Sequence, residues 1–311
     1  MVTKTTARRG ARRAVRKSAF RQRELYGWLF ALPWLIGLAV FYAYPLFSSI
    51  FYSFFDFKGL FPTAFVGFDN YTTLFADDVF WVSVRNTMLY TVLAVPTGLL
   101  VGVLTALLLN IKSKAQGVYR VVAFIPTLVP AVAVGIIWQW LLNSQFGIVN
   151  DMLWRLAGIE GPPWFGSEFW AKPSLMLISW WTIGTTVLTY LAGLQDIPID
   201  YYEAATIDGA GGWNKAMHIT LPLLTPVIFF NIIMGIISAL QMFTLAFVIT
   251  NGQGTPANSM LFYSMYLYKN AFSYFKMGIA NAMAWIMFLV IMTLTIFVYR
   301  TSGKWVHYMG E

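Results

Sequence analysis

Cysteine is absent from the sequence, and histidine occurs only twice, at His218 and His307. Without thiols the chain can form neither a disulfide scaffold nor a thiolate metal site, and two distant histidines argue against a histidine-ligated metal. Charged residues are also scarce, at 11% of 311 positions, whereas about 25% is usual in soluble domains. Together with 58% hydrophobic residues, this scarcity excludes an ordinary soluble domain and an intrinsically disordered chain.

The formal net charge of +8 arises mainly at one end of the chain. Nine of the 21 Lys and Arg residues lie within residues 1–26, where Glu24 is the single acidic residue. A basic arm can bind nucleic acid, but a basic cluster directly before a long apolar segment is more typical of membrane proteins, where it sets orientation or contacts anionic lipid. We therefore predict a basic cytoplasmic tail over residues 1–26, contact with membrane lipid and no nucleic-acid partner.

Long segments without Asp, Glu, Lys or Arg predict membrane-spanning helices, because about 20 apolar residues cross a bilayer. The longest, residues 216–268, is interrupted by turn-forming residues at 251–256, so it holds one span followed by a polar loop. The sequence thus predicts an all-α integral membrane protein with a six-helix domain over residues 27–300. Its spans are expected near residues 27–50, 87–111, 120–143, 173–194, 222–249 and 278–300, with a short cytoplasmic tail at 301–311.

The basic residues also predict the orientation of the chain, since cytoplasmic loops are rich in Lys and Arg. With the N-terminus inside, fifteen basic residues fall in cytoplasmic segments and six in outer loops. Both termini are therefore predicted to be cytoplasmic. The first apolar run exceeds the roughly 7 to 15 residues of a cleavable signal peptide, while the Arg-rich opening leaves a mitochondrial transit peptide open on composition alone.

The cytoplasmic loop between spans four and five, residues 195–221, carries the clearest local signals. Asp200 and Glu203 have the spacing of a reciprocal N-terminal cap, in which each side chain accepts from a free backbone N–H. A helix over residues 201–208 should follow. Gly209 is placed to end that helix in a left-handed conformation.

The rest of this loop predicts a surface for a partner. A glycine hinge at residues 211–212 should lead to a second short helix over 213–220, before Pro222 begins span five. The small side chains of Ala204 and Ala205 let another surface approach closely, which favours docking. The alternative is that the acidic residues of the loop are solvated helix caps.

This loop also reproduces the EAA signature of permease subunits in bacterial ABC importers. The signature reads EAA, three residues, G, nine residues, I, one residue and LP. Its anchors are matched by Glu203, Ala204, Ala205, Gly209, Ile219, Leu221 and Pro222. Other segments resemble sugar permeases of the maltose and glycerol-phosphate type, at residues 65–71, 80–81 with 86–87, 141–150 and 250–256.

The resemblance implies the type I ABC importer permease fold and a loop that couples the spans to a cytoplasmic ATPase. The residues implied to form this coupling surface are Glu203, Ala204, Ala205, Asp208, Gly209, Ile219, Leu221 and Pro222. Two positions depart from the family pattern. Ala216 stands where an aromatic residue is frequent, and Gln253 interrupts a GGP sequence of the outer loop.

The same resemblance implies a subunit of the bacterial cytoplasmic membrane that imports a sugar, a polyol or a glycerol-phosphate-like solute. Its implied partners are a second, paralogous permease, two ATP-binding cassette subunits and an extracytoplasmic solute-binding protein. An importer of another solute, such as a peptide or an osmolyte, is the alternative within the family. An independent secondary transporter is the alternative outside it.

The sequence contains no phosphate-binding loop of the form G-x-x-x-x-G-K-[ST]. Its only Gly-Lys pair, Gly303-Lys304, is followed by Trp305, and Val298 occupies the position of the first glycine. The predicted spans hold no Asp or Glu, which argues against ion coupling and against a membrane-embedded enzyme. We therefore expect a subunit that is not an enzyme and needs no cofactor, with ATP bound by a partner subunit.

Two of the predicted spans carry polar residues along one helical face near the middle of the bilayer. The candidate residues for a solute path are Thr182, Thr185, Thr186 and Thr189 in span four, and Asn231, Gly235, Ser238, Gln241 and Met242 in span five. Neutral hydroxyl and amide groups suit a polyhydroxylated solute. Small and hydroxyl residues also mediate ordinary helix packing in membranes, and that alternative stays open.

Overall fold

The computed structural model describes residues 24, 26–59, 61–111 and 113–307. Most of the predicted basic tail, and residues 308–311 of the predicted C-terminal tail, lie outside these described residues. Within them the chain is mostly helical, and one two-stranded antiparallel sheet lies between the first two spans.

The helices are numbered in chain order. In the first half they are α1 (Tyr26–Tyr52), α2 (Asp69–Phe75), α3 (Asp78–Asn110), α4 (Gln116–Phe124), α5 (Ala131–Leu141) and α6 (Ile148–Ala157). In the second half they are α7 (Glu168–Trp181), α8 (Gly184–Asp196), α9 (Ile199–Ile207), α10 (Gly212–Lys215), α11 (Leu221–Leu240), α12 (Thr244–Ile249), α13 (Tyr263–Tyr268) and α14 (Met277–Ser302). A 3-10 turn follows α4, and π turns lie within α1, between α10 and α11, and after α13.

Four helical segments in the described part of the chain are long and apolar enough to cross a bilayer. They are α1, α3, the 38-residue segment Gly212–Ile249 that contains α10 to α12, and α14. Two bent helix pairs bring the number to six if each pair is one span. These pairs are α4 with α5, bent by 100° across the 3-10 turn, and α7 with α8, bent by 50°.

With each bent pair taken as one span, the third and fourth spans are broken, whereas the sequence predicted one helix near 120–143 and one near 173–194. Pro130 supplies the cause in the third span, since it has no backbone N–H and the preceding Val129 is extended, as the residue before a proline prefers. In the fourth span the break at Thr182 has no proline. There the Thr127 hydroxyl donates to the Thr182 carbonyl at 3.2 Å, so a contact between the two breaks stabilises a carbonyl at the end of α7.

The second span also starts earlier than predicted, because α3 begins at Asp78 and not near residue 87. A search for charge-free segments excludes this first part, which contains Asp78 and Arg85. The Asp77 side chain accepts from the Val79 N–H at 2.9 Å and caps the helix there. The helix thus extends past its charge-free segment.

The short β-hairpin, β1 (Phe55–Lys58) and β2 (Phe61–Phe65), was not expected and is a small addition to a helical fold. Phe55 pairs with Phe65, and their rings meet edge to face at 5.5 Å. Alternating aromatic residues favour a strand over a helix in so short a segment. The hairpin packs on α14 and α1, at the end of the bundle that follows the first span.

Three helices, α3, α8 and α11, pack against one another and build the centre of the bundle. Tyr190 and Leu194 of α8, Leu224 of α11 and Ala106 of α3 are buried in one apolar cluster where these helices meet. Gly102 brings α3 close to α8, since an added Cβ there would lie 3.0 Å from the Tyr190 ring. This contact places the middle of α3 directly beside the polar faces of α8 and α11.

Candidate functional site

The loop between α8 and α11 folds as a short helix, a turn and a second helix. Its first helix, α9, starts at Ile199 with Pro198 before it and no side-chain cap, so the predicted reciprocal cap of Asp200 and Glu203 is wrong. The reason is Pro198, because proline places Ile197 in an extended conformation and lets the helix begin directly afterwards.

The end of α9 has the predicted left-handed glycine. Gly209 has φ of +78°, its N–H donates to the Thr206 carbonyl at 3.1 Å, and the Ala210 N–H donates to the Ala205 carbonyl at 2.8 Å. These two bonds form a Schellman motif, which turns the chain sharply at the helix end. The predicted role of Gly209 in the local geometry is therefore confirmed.

The second helix of the loop differs from the prediction, because it does not stop before Pro222. A π turn, Ala216–Thr220, joins α10 to α11, and the Leu221 N–H donates to the Ala216 carbonyl. The wider turn accommodates a proline ring that would crowd a carbonyl in a regular α-helix. One helical segment thus runs from the loop into the membrane-spanning part.

The loop presents its signature residues in two different ways. Glu203, Ala204, Asp208 and Gly209 are exposed and Ala205 is half-buried, whereas Ile219, Leu221 and Pro222 are half-buried at the base of α11. Ile207 is 87% exposed, and Ile199, Tyr201 and Trp213 are also exposed. An apolar and acidic surface of this kind, on a helix with small residues, is suited to contact with another protein.

Side-chain contacts attach the loop to the bundle. The Tyr202 and Thr220 hydroxyls lie 3.0 Å apart, and the Lys215 ammonium donates to the Thr206 hydroxyl at 2.7 Å. Ile219 and Tyr202 pack on the buried cluster of α3, α8 and α11. Ile219 therefore anchors the loop, a role that its position in a signature does not reveal.

A cavity of about 410 Å³, here called the central cavity, lies between α3, α7, α8 and α11. Its described lining residues are Tyr90, Ala94, Val95, Gly98, Leu99, Ser179, Trp180, Ile183, Thr185, Thr186, Thr189, Phe230, Asn231, Met234, Gly235, Ser238, Ala239 and Met242. None of them carries a charge. The cavity thus offers hydroxyl, amide and aromatic groups to a solute.

Most of the residues predicted for a solute path line this cavity. Thr185, Thr186, Thr189, Asn231, Gly235, Ser238 and Met242 do so, while Thr182 and Gln241 do not. Thr182 lies at the break after α7, where its hydroxyl is within bonding distance of the carbonyls of its own helix. Gln241 follows the last residue of α11, where the helix is interrupted, so the helical spacing that placed it beside the path no longer applies.

Polar side chains inside the cavity are paired across helices. The Asn231 amide and the Thr189 hydroxyl lie 3.1 Å apart, which joins α11 to α8. The Tyr90 and Ser179 hydroxyls lie 2.8 Å apart, which joins α3 to α7. The buried Trp180 indole N–H has no partner among the described residues.

The contribution of α3 was missed by the sequence reasoning. Tyr90, Ala94, Val95, Gly98 and Leu99 all face the cavity, although span two was not considered for the path. A signal was present, because Thr87, Tyr90 and Thr91 follow Asn86 at helical spacing and form a polar stripe.

The loop between α8 and α11, residues 195–221, is here called the coupling loop after the signature that it carries, and at the opposite end of the bundle α13 contacts the start of α3. Tyr266 donates from its hydroxyl to the Asp77 carboxylate at the start of α3. Burial, followed by this hydrogen bond, raises the pKa of Tyr266 to about 12. The phenol therefore stays protonated as a donor at neutral pH.

A membrane-spanning bundle with a neutral central cavity and an exposed loop at one end is the architecture of a membrane transport subunit. Residues 98–307 match the family model described as "Binding-protein-dependent transport system inner membrane component". The chain belongs to this family.

Two relatives and one solved structure illustrate the similarity. The chain is 36% identical over 301 residues to the probable ABC transporter permease protein YesP of Bacillus subtilis, covering 96% of this chain and 97% of YesP. It is 39% identical over 271 residues to the sulfoquinovosyl glycerol transport system permease protein SmoG of Agrobacterium fabrum, covering 86% and 87%. A chain of the bacterial alginate ABC transporter crystallised with its alginate pentasaccharide-bound periplasmic protein has the same fold, with a TM-score of 0.81, 23% identity and coverage of 94% and 98%.

Proposed function

We propose that this chain is the permease subunit of an ATP-driven importer for a neutral sugar or a related polyol. The central cavity carries this proposal, because its described lining combines hydroxyl, amide and aromatic groups without a charge. Such a lining suits many hydrogen bonds to a polyhydroxylated solute and offers no cation to an anionic one such as glycerol phosphate. The names of SmoG and of the alginate transporter support a saccharide as the class of solute, while the neutral character of the solute rests on the uncharged cavity lining alone.

The energy would come from a separate ATPase that contacts the exposed loop. Glu203, Ala204 and Asp208 would form this contact, and Gly209 would set the direction of the chain behind it. Movement of the loop has a direct path to the cavity, since the helical segment Gly212–Ile249 begins in the loop and carries Asn231 and Ser238. ATP would be bound by the ATPase, and this chain would need no cofactor.

A second permease would complete the solute path. Phe230, Met234 and Ser238 lie four residues apart on one face of α11, and all three line the cavity and are exposed. An extracytoplasmic binding protein would deliver the solute. The chain would lie in the bacterial cytoplasmic membrane with both termini in the cytoplasm.

The proposed contact with an ATPase is tested by mild-detergent purification of the tagged chain from its native membranes, followed by mass spectrometry of the bound proteins. We compare wild type with Glu203→Lys and with Asp196→Lys, an exposed acidic residue at the end of α8. We expect a second permease in all three samples and an ATPase lost only with Glu203→Lys. Absence of an ATPase from the wild-type sample would contradict the importer assignment.

The solute class is tested by ATP-driven uptake in proteoliposomes that contain the complete importer and its binding protein. The labelled solutes are maltose, lactose, raffinose, sorbitol, glycerol 3-phosphate, glycine betaine and a tripeptide. We expect uptake of a neutral saccharide or of sorbitol. Uptake restricted to glycine betaine or to the tripeptide would replace the proposed class by an osmolyte or a peptide.

A further inference from the structure

We infer that the chain has a second saccharide-binding site, separate from the central cavity and at the opposite end of the bundle from the coupling loop. The site is a cavity of about 400 Å³, here called the outer cavity. Its lining includes Gln139, Trp140, Asn143, Phe146, Trp164 and Phe165. The inference rests on the proposed function, because a site for the transported solute presupposes that the solute is a saccharide.

The chain direction places the outer cavity at this end. Helix α8 runs into the coupling loop at Asp196, so the start of α7 at Glu168 lies at the other end of the fourth span. Trp164 and Phe165 directly precede that start. Ile249, which also lines the cavity, is the far end of the segment that begins in the coupling loop at Gly212.

Aromatic rings supply surfaces on which a sugar ring can stack. Trp140 and Phe146 line the cavity and are both 71% exposed. Trp164 is held in place, because its indole N–H donates to the Asn150 side chain at 2.6 Å and its ring meets Trp170 edge to face at 5.5 Å. The fixed ring of Trp164 and the two accessible rings offer apolar surface for the C–H face of a saccharide.

Two side-chain amides supply polar groups of opposite kinds. Gln139 uses its NH₂ group to donate to the Ile249 carbonyl at 2.6 Å, which leaves its oxygen without a donor among the described residues. Asn143 uses its oxygen to accept from the N–H groups of Gln145 at 2.9 Å and Phe146 at 3.2 Å, which leaves its NH₂ group without an acceptor there. A sugar hydroxyl can donate to the first and accept from the second.

The described lining of the outer cavity carries no charge, and this feature matches the central cavity. A packed layer separates the two sites. Trp138, Leu142, Ala246 and Ile249 are buried in one apolar cluster, which also contains Tyr90 beside the central cavity. A saccharide in the outer cavity would therefore wait outside a closed layer before it moves inward.

The direct test is fluorine NMR of the complete importer in lipid nanodiscs, with 5-fluorotryptophan incorporated and with maltose, lactose and raffinose added one at a time. Trp→Phe variants assign the resonances of Trp140 and Trp28. We expect a saturable shift of the Trp140 resonance with at least one saccharide and no shift for Trp28, which lies on α1. An unchanged Trp140 resonance with all three saccharides would overturn the inference.

A kinetic test uses exposed residues, so that folding is preserved. Trp140→Ala should raise the half-saturating solute concentration for uptake roughly fivefold with little change in maximal rate, since one stacking contact is lost. The matched control is Trp28→Ala, because Trp28 is 65% exposed outside the cavity. Phe146→Ala removes the other accessible ring and should raise the half-saturating concentration in the same direction. If Trp140→Ala and Phe146→Ala both show the same half-saturating concentration as Trp28→Ala, the inference is overturned and the proposed function stays intact.

The two proposals fail in different ways. If the wild-type importer takes up none of the saccharides or sorbitol, the proposed function fails, and the Trp140 resonance still decides whether the outer cavity binds a sugar. If the solute-free binding protein shifts the Trp140 resonance and saccharides do not, the cavity contacts protein, and the saccharide site is overturned.

Discussion

The side-chain amide of Asn86 on α3 donates to the backbone carbonyl of Leu261, which lies 175 positions later in the chain, at 3.1 Å. The same amide donates to the Asn258 carbonyl at 2.7 Å. Next to it, the Thr87 hydroxyl accepts from the Tyr263 N–H at 2.8 Å. Two consecutive side chains of one span thus hold the loop that leads into α13.

Replacing Asn86 with leucine should destabilise the protein through this loop. Asn86 is 6% exposed, and leucine of similar size leaves two carbonyls without their donors. We expect a loss of about 2 kcal/mol in the free energy of unfolding. The measurement is thermal unfolding in detergent followed by tryptophan fluorescence. Asn214→Leu, at an exposed position of α10, is the control, and equal midpoints for the two variants would argue against the loop contact.

In the coupling loop, Gly209 is the position to be tested and Gly211 is its matched control. An added Cβ would meet no atom within 4 Å at either position, but φ is +78° at Gly209 and −71° at Gly211. Gly209→Val should therefore distort the loop and lower ATP-driven uptake at least about tenfold, since a β-branched residue strongly disfavours positive φ. Gly211→Val should be tolerated.

The measurement for this pair is uptake in proteoliposomes together with the amount of each variant in the membrane. Both variants should insert at the wild-type level, because the loop lies outside the spans. Equal uptake by the two variants would mean that the left-handed turn is not needed for coupling.

A threonine pair tests the central cavity. Thr185 lines the cavity and is exposed, while Thr182 does not line it. Thr185→Val removes one hydroxyl at nearly constant volume and should raise the half-saturating solute concentration about threefold to tenfold, as expected for one hydrogen bond. Thr182→Val should leave this concentration unchanged. If Thr182→Val raises the half-saturating concentration and Thr185→Val does not, the solute path does not run through the central cavity.

We expect that the stability of the protein requires glycine at position 184, where the two broken spans meet. A Cβ at this position would lie 3.0 Å from the Ala123 carbonyl oxygen and 3.1 Å from the Phe124 Cα, both of which are backbone atoms. Gly184→Ala should therefore cost about 1–3 kcal/mol in the free energy of unfolding through overpacking. Gly117→Ala on α4, where nothing lies within 4 Å, should be neutral or stabilising. Thermal unfolding of the two variants checks the difference, and a stable Gly184→Ala would show that the breaks can separate at little cost.

Features that depend on neighbouring residues in the sequence could be predicted. The charge-free runs predicted α1 and α14 closely, because the ends of a membrane span follow from local apolar length. Gly209 could be predicted because a helix end and its glycine lie within a few residues of each other. The polar faces of α8 and α11 followed from helical spacing, and most of their residues do line the central cavity.

Features that depend on distant residues could not be predicted in this way. The break at Thr182 is accompanied by a bond from Thr127, and nothing near Thr182 in the sequence signals it. Asn86 and Thr87 were visible as polar residues, but their partners lie in a loop more than half the chain away. The polar stripe of α3 indicated a buried role for that helix, but only the structure shows that Tyr90 of this stripe lines the central cavity while Asn86 and Thr87 bond to the distant loop.

The sequence by itself determined that the chain is a membrane protein of long apolar helices, where most of these helices lie approximately, and which loop carries the EAA signature. These properties follow from local composition, because the bilayer selects long apolar helices residue by residue. Only the tertiary structure decided that Ile219 is an anchor, that Thr182 and Gln241 lie outside the central cavity, and that an outer cavity exists. Burial and cavity shape arise from contacts between helices that are far apart in the chain, and no single span encodes them.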